Sequence, residues 1–309
     1  MSSTNGKDNG KAATENVLKG LNVGFIGSGV MGEAMISGMI NQGVLEPSQI
    51  FAADLLEDRG RELEKKYGIR WTTNNNEVAR FADLLVLSIK PQVLDEVLPQ
   101  LNGPDGSHPK VVLSIIAGAH IQQISHGMGN PSVVRAMPNT PARIGQGITV
   151  WTTSHDVPAE QREQARAVLA SLGQEVYMDH EDYLDMATAL SGTGPAYVFM
   201  FMEAMIDAGV HMGFPRRIAE QLVIQTMRGS VEYAAVSKEH PAALRNQVTS
   251  PGGTSAEAIY HLEKGGLRTV IARAIWAAYQ RSIALGAGKK VSHGAPAPAR
   301  NPDELEHGR

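Results

Sequence analysis

Leu21-Asn22-Val23-Gly24-Phe25-Ile26-Gly27-Ser28-Gly29-Val30-Met31-Gly32 carries a short apolar run straight into a glycine-rich turn, and Glu33 to Asn41 continue with helical spacing. The turn has the form G-x-G-x-x-G, and its place between a buried strand and a helix gives each glycine a role. The first makes the tight turn, the second lets a pyrophosphate approach the backbone, and the third lets helix and strand pack closely. The helix start adds free amides with partial positive charge. Gly27, Ser28, Gly29, Val30, Met31 and Gly32 therefore form a candidate dinucleotide-binding turn. The plainer reading is a βα turn without a ligand.

Beyond this turn strands and helices alternate. Gln49 to Asp54, Leu84 to Ile89, Val111 to Ile116, Ser132 to Ala136, Ile148 to Trp151 and Glu175 to Met178 read as strands, with helices over Glu57 to Tyr67 and Val93 to Leu101. Continuous apolar runs separated by helices predict a doubly wound parallel sheet covered on both faces. A ligand of such a sheet lies outside the C-terminal strand ends. Asp54, Ser88-Ile89-Lys90-Pro91, Ile116-Ala117-Gly118 and Met137-Pro138-Asn139-Thr140-Pro141 fall there. Asp54 suits a clamp on the adenosine ribose hydroxyls that repels a 2′-phosphate and favours NADH over NADPH, a preference that Arg59 and Arg61 soften. It suits equally the N-cap of the next helix. Lys90 is a cofactor contact only through its place at a strand end and otherwise reads as a solvated loop lysine.

At 309 residues, 42% of them hydrophobic, the chain has the length of two domains. Its net charge of −4 offers no basic footprint for nucleic acid or an anionic membrane, so the expected partners are small molecules. There is no cysteine, which removes disulfides, thiol catalysis and Cys-ligated zinc and fits a cytoplasmic location; no metal site is expected. Residues 1–19 and 288–309 hold nothing to pack and are expected to be disordered tails. No apolar run reaches the ~18 residues needed to cross a bilayer. Residues 20–182 carry the alternating pattern and 183–287 an all-helical one. In the helical part Tyr197, Phe201, Met205, Ala208 and Met212 recur at helical spacing, as do Leu267, Val270, Ile271, Ala274 and Ala278. Met200, Met202, Met205 and Met212 read as core or subunit interface, because long apolar helices with small residues suit packing against a second copy.

A second turn stands in the helical part. In Ser250-Pro251-Gly252-Gly253-Thr254-Ser255 the proline ends what precedes, two glycines permit unusual backbone angles, and two hydroxyls precede a helical run. Such a turn can grip a carboxylate or phosphate on its helix-start amides, or it can be only a capped turn. What accepts a hydride here is narrowed by a gap: no lysine lies between Lys110 and Lys238. Alcohol oxidation needs a general base, usually Lys or His. His180, His211, His240 and His261 have no recognisable orienting carboxylate and read as surface or core residues. A protonated imine is already electrophilic, so a hydroxyl donor and a carboxylate clamp suffice for its reduction.

Five stretches now resemble one family, the pyrroline-5-carboxylate reductases. They are Phe25 to Gly32, Ile89-Lys90-Pro91-Gln92, Arg135-Ala136-Met137-Pro138-Asn139-Thr140-Pro141-Ala142, Leu190-Ser191-Gly192-Thr193-Gly194-Pro195-Ala196-Tyr197 and Val248-Thr249 with Ser250 to Ser255, and the resemblance covers roughly residues 21–285. It implies an N-terminal Rossmann domain followed by an all-α dimerisation domain. It also implies an intertwined homodimer, often assembled into decamers, that reduces 1-pyrroline-5-carboxylate to L-proline with NADPH or NADH. By the same resemblance Gly27 to Gly32 would hold the pyrophosphate and Asn75 the adenosine side. Ser88, Ile89, Lys90 and Pro91, with Ile115, Ile116, Ala117 and Asn139, would line the nicotinamide half. Gly252 would shape the substrate turn, and the amides of Gly253, Thr254 and Ser255 would bind the substrate carboxylate. The second residue after the glycine pair, usually Thr in the family, is Ser255 here and would serve as proton donor beside Thr254. Asp54-Leu55 replaces a polar residue followed by Arg, which leans towards good use of NADH.

Overall fold

Val23, Gly24, Phe25 and Ile26 carry no polar side chain, and the strand they form, β1 (Val23–Ile26), is buried along its whole length. The computed structural model describes residues 17–101, 109–130 and 132–286. In it β1 lies inside an eight-stranded sheet of order β3-β2-β1-β4-β5-β6-β7-β8. The other strands are β2 (Ile50–Ala53), β3 (Arg70–Thr72), β4 (Leu84–Leu87), β5 (Val111–Ser114), β6 (Val133–Met137), β7 (Gly147–Thr153) and β8 (Gly173–Tyr177). Because β1 pairs with both β2 and β4, the strand order reverses there, and the C-terminal ends of β1 and β4 are the switch point at which such a sheet takes a ligand.

Helices α1 (Val30–Asn41), α2 (Glu57–Tyr67), α3 (Asn75–Phe81), α4 (Leu94–Val97), α5 (Ile121–Met128) and α6 (Ala159–Ala170) connect the strands. Successive strand residues face opposite ways. Val23 and Phe25 pack with Met35, Ile36 and Met39 of α1 on one face, while Ile26 and Phe51 pack with Val78 of α3 and Ile124 of α5 on the other. Leu18, assigned to the N-terminal tail from its sequence, is fully buried in the first of these cores. The rest of the two expected tails lies outside the described residues, except Val17 and Lys19.

Three details differ from the sequence expectation. The sheet is not wholly parallel, because β7 runs antiparallel to β6, with Met137 opposite Val150. The link from Pro138 to Gln146, which holds a 3₁₀ turn at Thr140–Ile144, is shorter than the dozen or more residues a parallel crossover needs. The helix expected over Val93 to Leu101 breaks into α4 between two 3₁₀ turns, Pro91–Val93 and Leu98–Leu101. Pro99 has no amide with which to continue it. The edge strand β3 has no apolar run to announce it and is half-exposed.

After β8 the described chain is helical: α7 (Asp182–Ala187), a π turn at Thr188–Gly192, α8 (Gly194–His211), α9 (Arg216–Ser237), α10 (Pro241–Gln247), α11 (Thr254–Lys264) and α12 (Leu267–Gly286). The pair α8 and α9 pack together, and α12 returns to α7 and the π turn. The substantial packing of α11 is on α12 alone. Met200, Met212, Val231 and Trp276 are all more than half exposed in the single chain, far more apolar surface than a solvated helix layer carries. Among the described residues no helix is long and apolar enough to cross a membrane.

Candidate active site

Gly27 leaves β1 with φ of 84°, and a Cβ there would come within 2.8 Å of Ile89 Cγ2 and 2.9 Å of the Ser88 carbonyl oxygen. Glycine is therefore required for both the turn and the close approach of the β1 and β4 ends. Gly29 is different: its backbone is extended, and a Cβ there would meet nothing within 4 Å. It sits at the N-cap of α1, where no side chain caps the helix. The amides of Val30, Met31 and Gly32 meet no acceptor among the described residues. An open cradle at a positive helix start fits the pyrophosphate of a dinucleotide.

The remaining cofactor candidates gather on the same edge of the sheet. Ser28 is buried, and both its N–H and its hydroxyl donate to Asp54 Oδ2, at 3.0 and 2.7 Å. Asp54 Oδ1 accepts from the Leu56 amide at 3.1 Å, and Leu56 itself is the N-cap of α2. The helix-cap alternative for Asp54 thus falls away, and its carboxylate braces the glycine turn at the end of β2. The Ser88 hydroxyl donates to the Gly27 carbonyl at 2.6 Å, locking the two turns together. Lys90 is exposed, without an ion pair among the described residues, and Pro91 opens a 3₁₀ turn. Asn75 is the first residue of α3, its side-chain amide on Gln100 at 3.0 Å. Ile115, Ile116 and Ala117 follow β5, with Ile116 buried. Asn139 donates to the Ser191 carbonyl at 3.2 Å and accepts from the Ile148 amide at 3.0 Å, bridging the end of β6 to the π turn. An open pocket of about 400 Å³ lies there, between Asn139, Pro141, Ser191 and Tyr197.

The turn before α11 is brought to none of these. Gly252 has φ of 72°, which requires glycine, whereas Gly253 is extended and a Cβ there would meet the rotatable Ser250 Oγ at 2.6 Å and the Ser250 carbonyl oxygen at 3.2 Å. The Gly253 amide donates to the Ser250 carbonyl at 3.0 Å, which takes one of the three amides expected to hold a carboxylate. The amides of Thr254 and Ser255, and their hydroxyls, have no hydrogen-bond partner among the described residues. Two adjacent amides at the start of an eleven-residue helix make a compact anion grip. His180, His211, His240 and His261 are all exposed, and among the described residues no group of three or more His, Cys, Asp or Glu is placed to hold a metal.

Comparison with known proteins settles the family. A pyrroline-5-carboxylate reductase of Synechocystis sp. is 40% identical over 266 residues, spanning 86% of this chain and 98% of that protein. The chain belongs to the pyrroline-5-carboxylate reductase family. The Escherichia coli reductase is 35% identical over 84% of this chain and 96% of its own length. A family model for pyrroline-5-carboxylate reductase dimerisation matches residues 181–285, and one for NADP oxidoreductase, coenzyme F420-dependent, matches residues 22–118. The solved reductase of Plasmodium falciparum, with NADP bound, superposes with a TM-score of 0.79 at 31% identity, over 86% of this chain and 98% of that one. The exposed apolar helices of the single chain are thus the dimerisation part of a pyrroline-5-carboxylate reductase.

Two polar clusters escaped the sequence reading. Arg135, in the middle of β6, is fully buried and donates to Glu181 at 2.8 Å and to Asp185 of α7 at 3.2 Å, while Ser282 of α12 donates to the same Asp185 oxygen at 2.6 Å. This ties the sheet to the last helix. Glu33, buried in the first turns of α1, receives Arg59, Lys66 at 2.7 Å and the Tyr67 hydroxyl at 2.8 Å. Burial alone would raise the Glu33 carboxyl, but the bonds from Arg59, Lys66 and Tyr67 outweigh it and hold its pKa at about 2. An arginine inside an apolar strand was the available signal for the first cluster; for the second, nothing in the spacing linked Glu33 to α2.

Proposed function

We propose that the chain carries out the reaction its family is named for, NAD(P)H-dependent reduction of 1-pyrroline-5-carboxylate to L-proline. In this reading the cofactor lies in the crevice between β1 and β4, and the substrate carboxylate on the start of α11. The observation that carries it is the pair of helix starts with open amides, Val30 to Gly32 and Thr254 to Ser255, one at a sheet switch point and one beside two hydroxyls with no hydrogen-bond partner among the described residues. The cofactor, when bound, supplies the hydride for the ring imine carbon. The chain's own work is to hold the carboxylate on the Thr254 and Ser255 amides and to deliver a proton to the ring nitrogen from the Ser255 hydroxyl, which water then resupplies. Asp54 at the ribose end supports good use of NADH.

The packing of α11 supports a site completed by a second copy: among the described residues its turn stays with α12, away from the β1 and β4 ends of its own chain, and α8 to α12 leave large apolar side chains exposed in the single chain. The turn of one copy would then close over the crevice of the other. Cytoplasmic location and assembly of dimers into decamers belong to the same proposal.

Ser255→Ala tests the proton-donor role. It is expected to lower kcat by about tenfold to a hundredfold, up to the low end of what acid–base assistance contributes because water can replace the lost donor in part, with cofactor affinity unchanged. Steady-state rates of NADH oxidation with 1-pyrroline-5-carboxylate read this directly. An unchanged kcat removes Ser255 from the chemistry.

A further inference from the structure

Arg59 lies on α2 but reaches back to the glycine turn. Its Nε donates to the Ser28 carbonyl at 2.9 Å, Nη1 donates to Glu62 at 2.8 Å, and Nη2 pairs with Glu33. Ser28 is therefore met from two sides, with the Asp54 carboxylate on its amide and hydroxyl and the Arg59 guanidinium on its carbonyl. The end of β2 is where the adenosine 2′ position of a dinucleotide lies in this fold. A cation that could pair with a 2′-phosphate thus stands beside that position, and each of its three nitrogens is already occupied. Arg59 and Glu33 are both mostly buried, and Lys66 and Tyr67 fix the far side of the Glu33 carboxylate.

From this we infer that Arg59 is a specificity-determining residue for the cofactor, and that Glu33 withholds it from the 2′-phosphate of NADPH. With the latch intact, the field at the ribose end is set by Asp54 and the site accepts the free hydroxyls of NADH. Released from Glu33, Nη2 becomes a charged donor that a phosphate can take up, while Nε and Nη1 stay on Ser28 and Glu62. Glu33→Gln keeps the shape and an acceptor for Lys66 or Tyr67, but removes the charge that holds Arg59 and presents an amide that can turn N–H towards it. The inference rests on the proposed cofactor crevice.

The test is direct binding of NADPH and of NADH, by quenching of tryptophan fluorescence or by calorimetry, which needs no turnover. Glu33→Gln is expected to raise the NADPH:NADH affinity ratio about fivefold, the size of one partly exposed charge contact. Arg59→Ala removes the positive charge that, even when latched, offsets Glu33 beside the ribose end, and the less neutralised carboxylate is expected to lower the same ratio about threefold. Opposite shifts from the two partners of one ion pair separate specificity from mere bracing of α2 against α1, which would weaken both cofactors alike in both variants. A ratio that stays constant in either folded variant, or moves the same way in both, overturns the inference. If Glu33→Gln does not fold, Glu33→Asp, which keeps the charge but draws it back from Arg59, takes its place: a rise in the ratio is again expected, and a constant or lower ratio overturns the inference. If the unaltered protein bound neither cofactor, the crevice assignment itself would fail, and this inference with it.

Discussion

Gly29→Asp is expected to weaken cofactor binding by more than about a hundredfold while leaving the melting temperature within a few degrees of the parent. The two halves of this expectation come from one observation. A Cβ on Gly29 meets nothing within 4 Å, and the backbone there is extended, so a side chain enters without strain. The space it enters is the cradle in front of the Val30, Met31 and Gly32 amides, where the new carboxylate takes the place of the pyrophosphate and repels it. Gly27 gives the contrast, since its φ of 84° and the contacts under 3 Å from Ile89 and Ser88 would make any substitution there a folding defect first. Calorimetric titration with NADH and NADPH, beside a thermal melt, reads both halves. Binding retained in a folded Gly29→Asp protein would mean that the pyrophosphate lies elsewhere.

Thr254→Pro is the matching substitution on the substrate side. Thr254 is the first residue of α11, where proline is tolerated because its missing amide would have had no partner within the helix. Gly253 before it has ψ of 164°, an extended conformation that suits a residue preceding proline. The variant therefore keeps the helix and deletes one of the two amides left open after Gly253 bonds Ser250. A hydrogen bond to a charged carboxylate contributes about 1.5–3 kcal/mol, so kcat/KM for 1-pyrroline-5-carboxylate is expected to fall by roughly tenfold to a hundredfold, with NADH affinity unchanged. Thr254→Ala, which loses the hydroxyl but keeps the amide, separates the two groups. Equal losses in both variants would assign the effect to the hydroxyl.

Much of the nucleotide half was legible in the sequence because the residues that shape it are local. The strands β1, β4 and β5 are buried on both faces and have no charged residue, so their apolar runs announce them. Helix α2 has acids in its first turn, lysines in its last and Gly68 in the left-handed region at its end, and its bounds followed. The direction of β7 was not legible, since its apolar pattern serves either orientation and the short link from β6 decides. Arg135 finds its partners 46 and 50 residues away, and Glu33 meets Arg59 26 residues on, distances over which spacing carries no signal. The Pro-Gly-Gly turn was visible as a possible anion grip. That Gly253 spends its amide on Ser250, and that α11 packs away from its own crevice, depend on how the chain closes in space.

The claim that joins these parts is that the glycine turn of one copy works with the Pro-Gly-Gly turn of another. Co-expression of Gly29→Asp with Thr254→Pro, under separate affinity tags, tests it through the rate of proline formation. Each variant alone has a defect in every site. In a mixed dimer one of the two composite sites draws its crevice from the Thr254→Pro chain and its turn from the Gly29→Asp chain, and is intact. Random pairing is then expected to restore about a quarter of the unaltered activity. If the two turns of a single chain formed the site, the mixture would stay at the level of its parents, and the account would be contradicted.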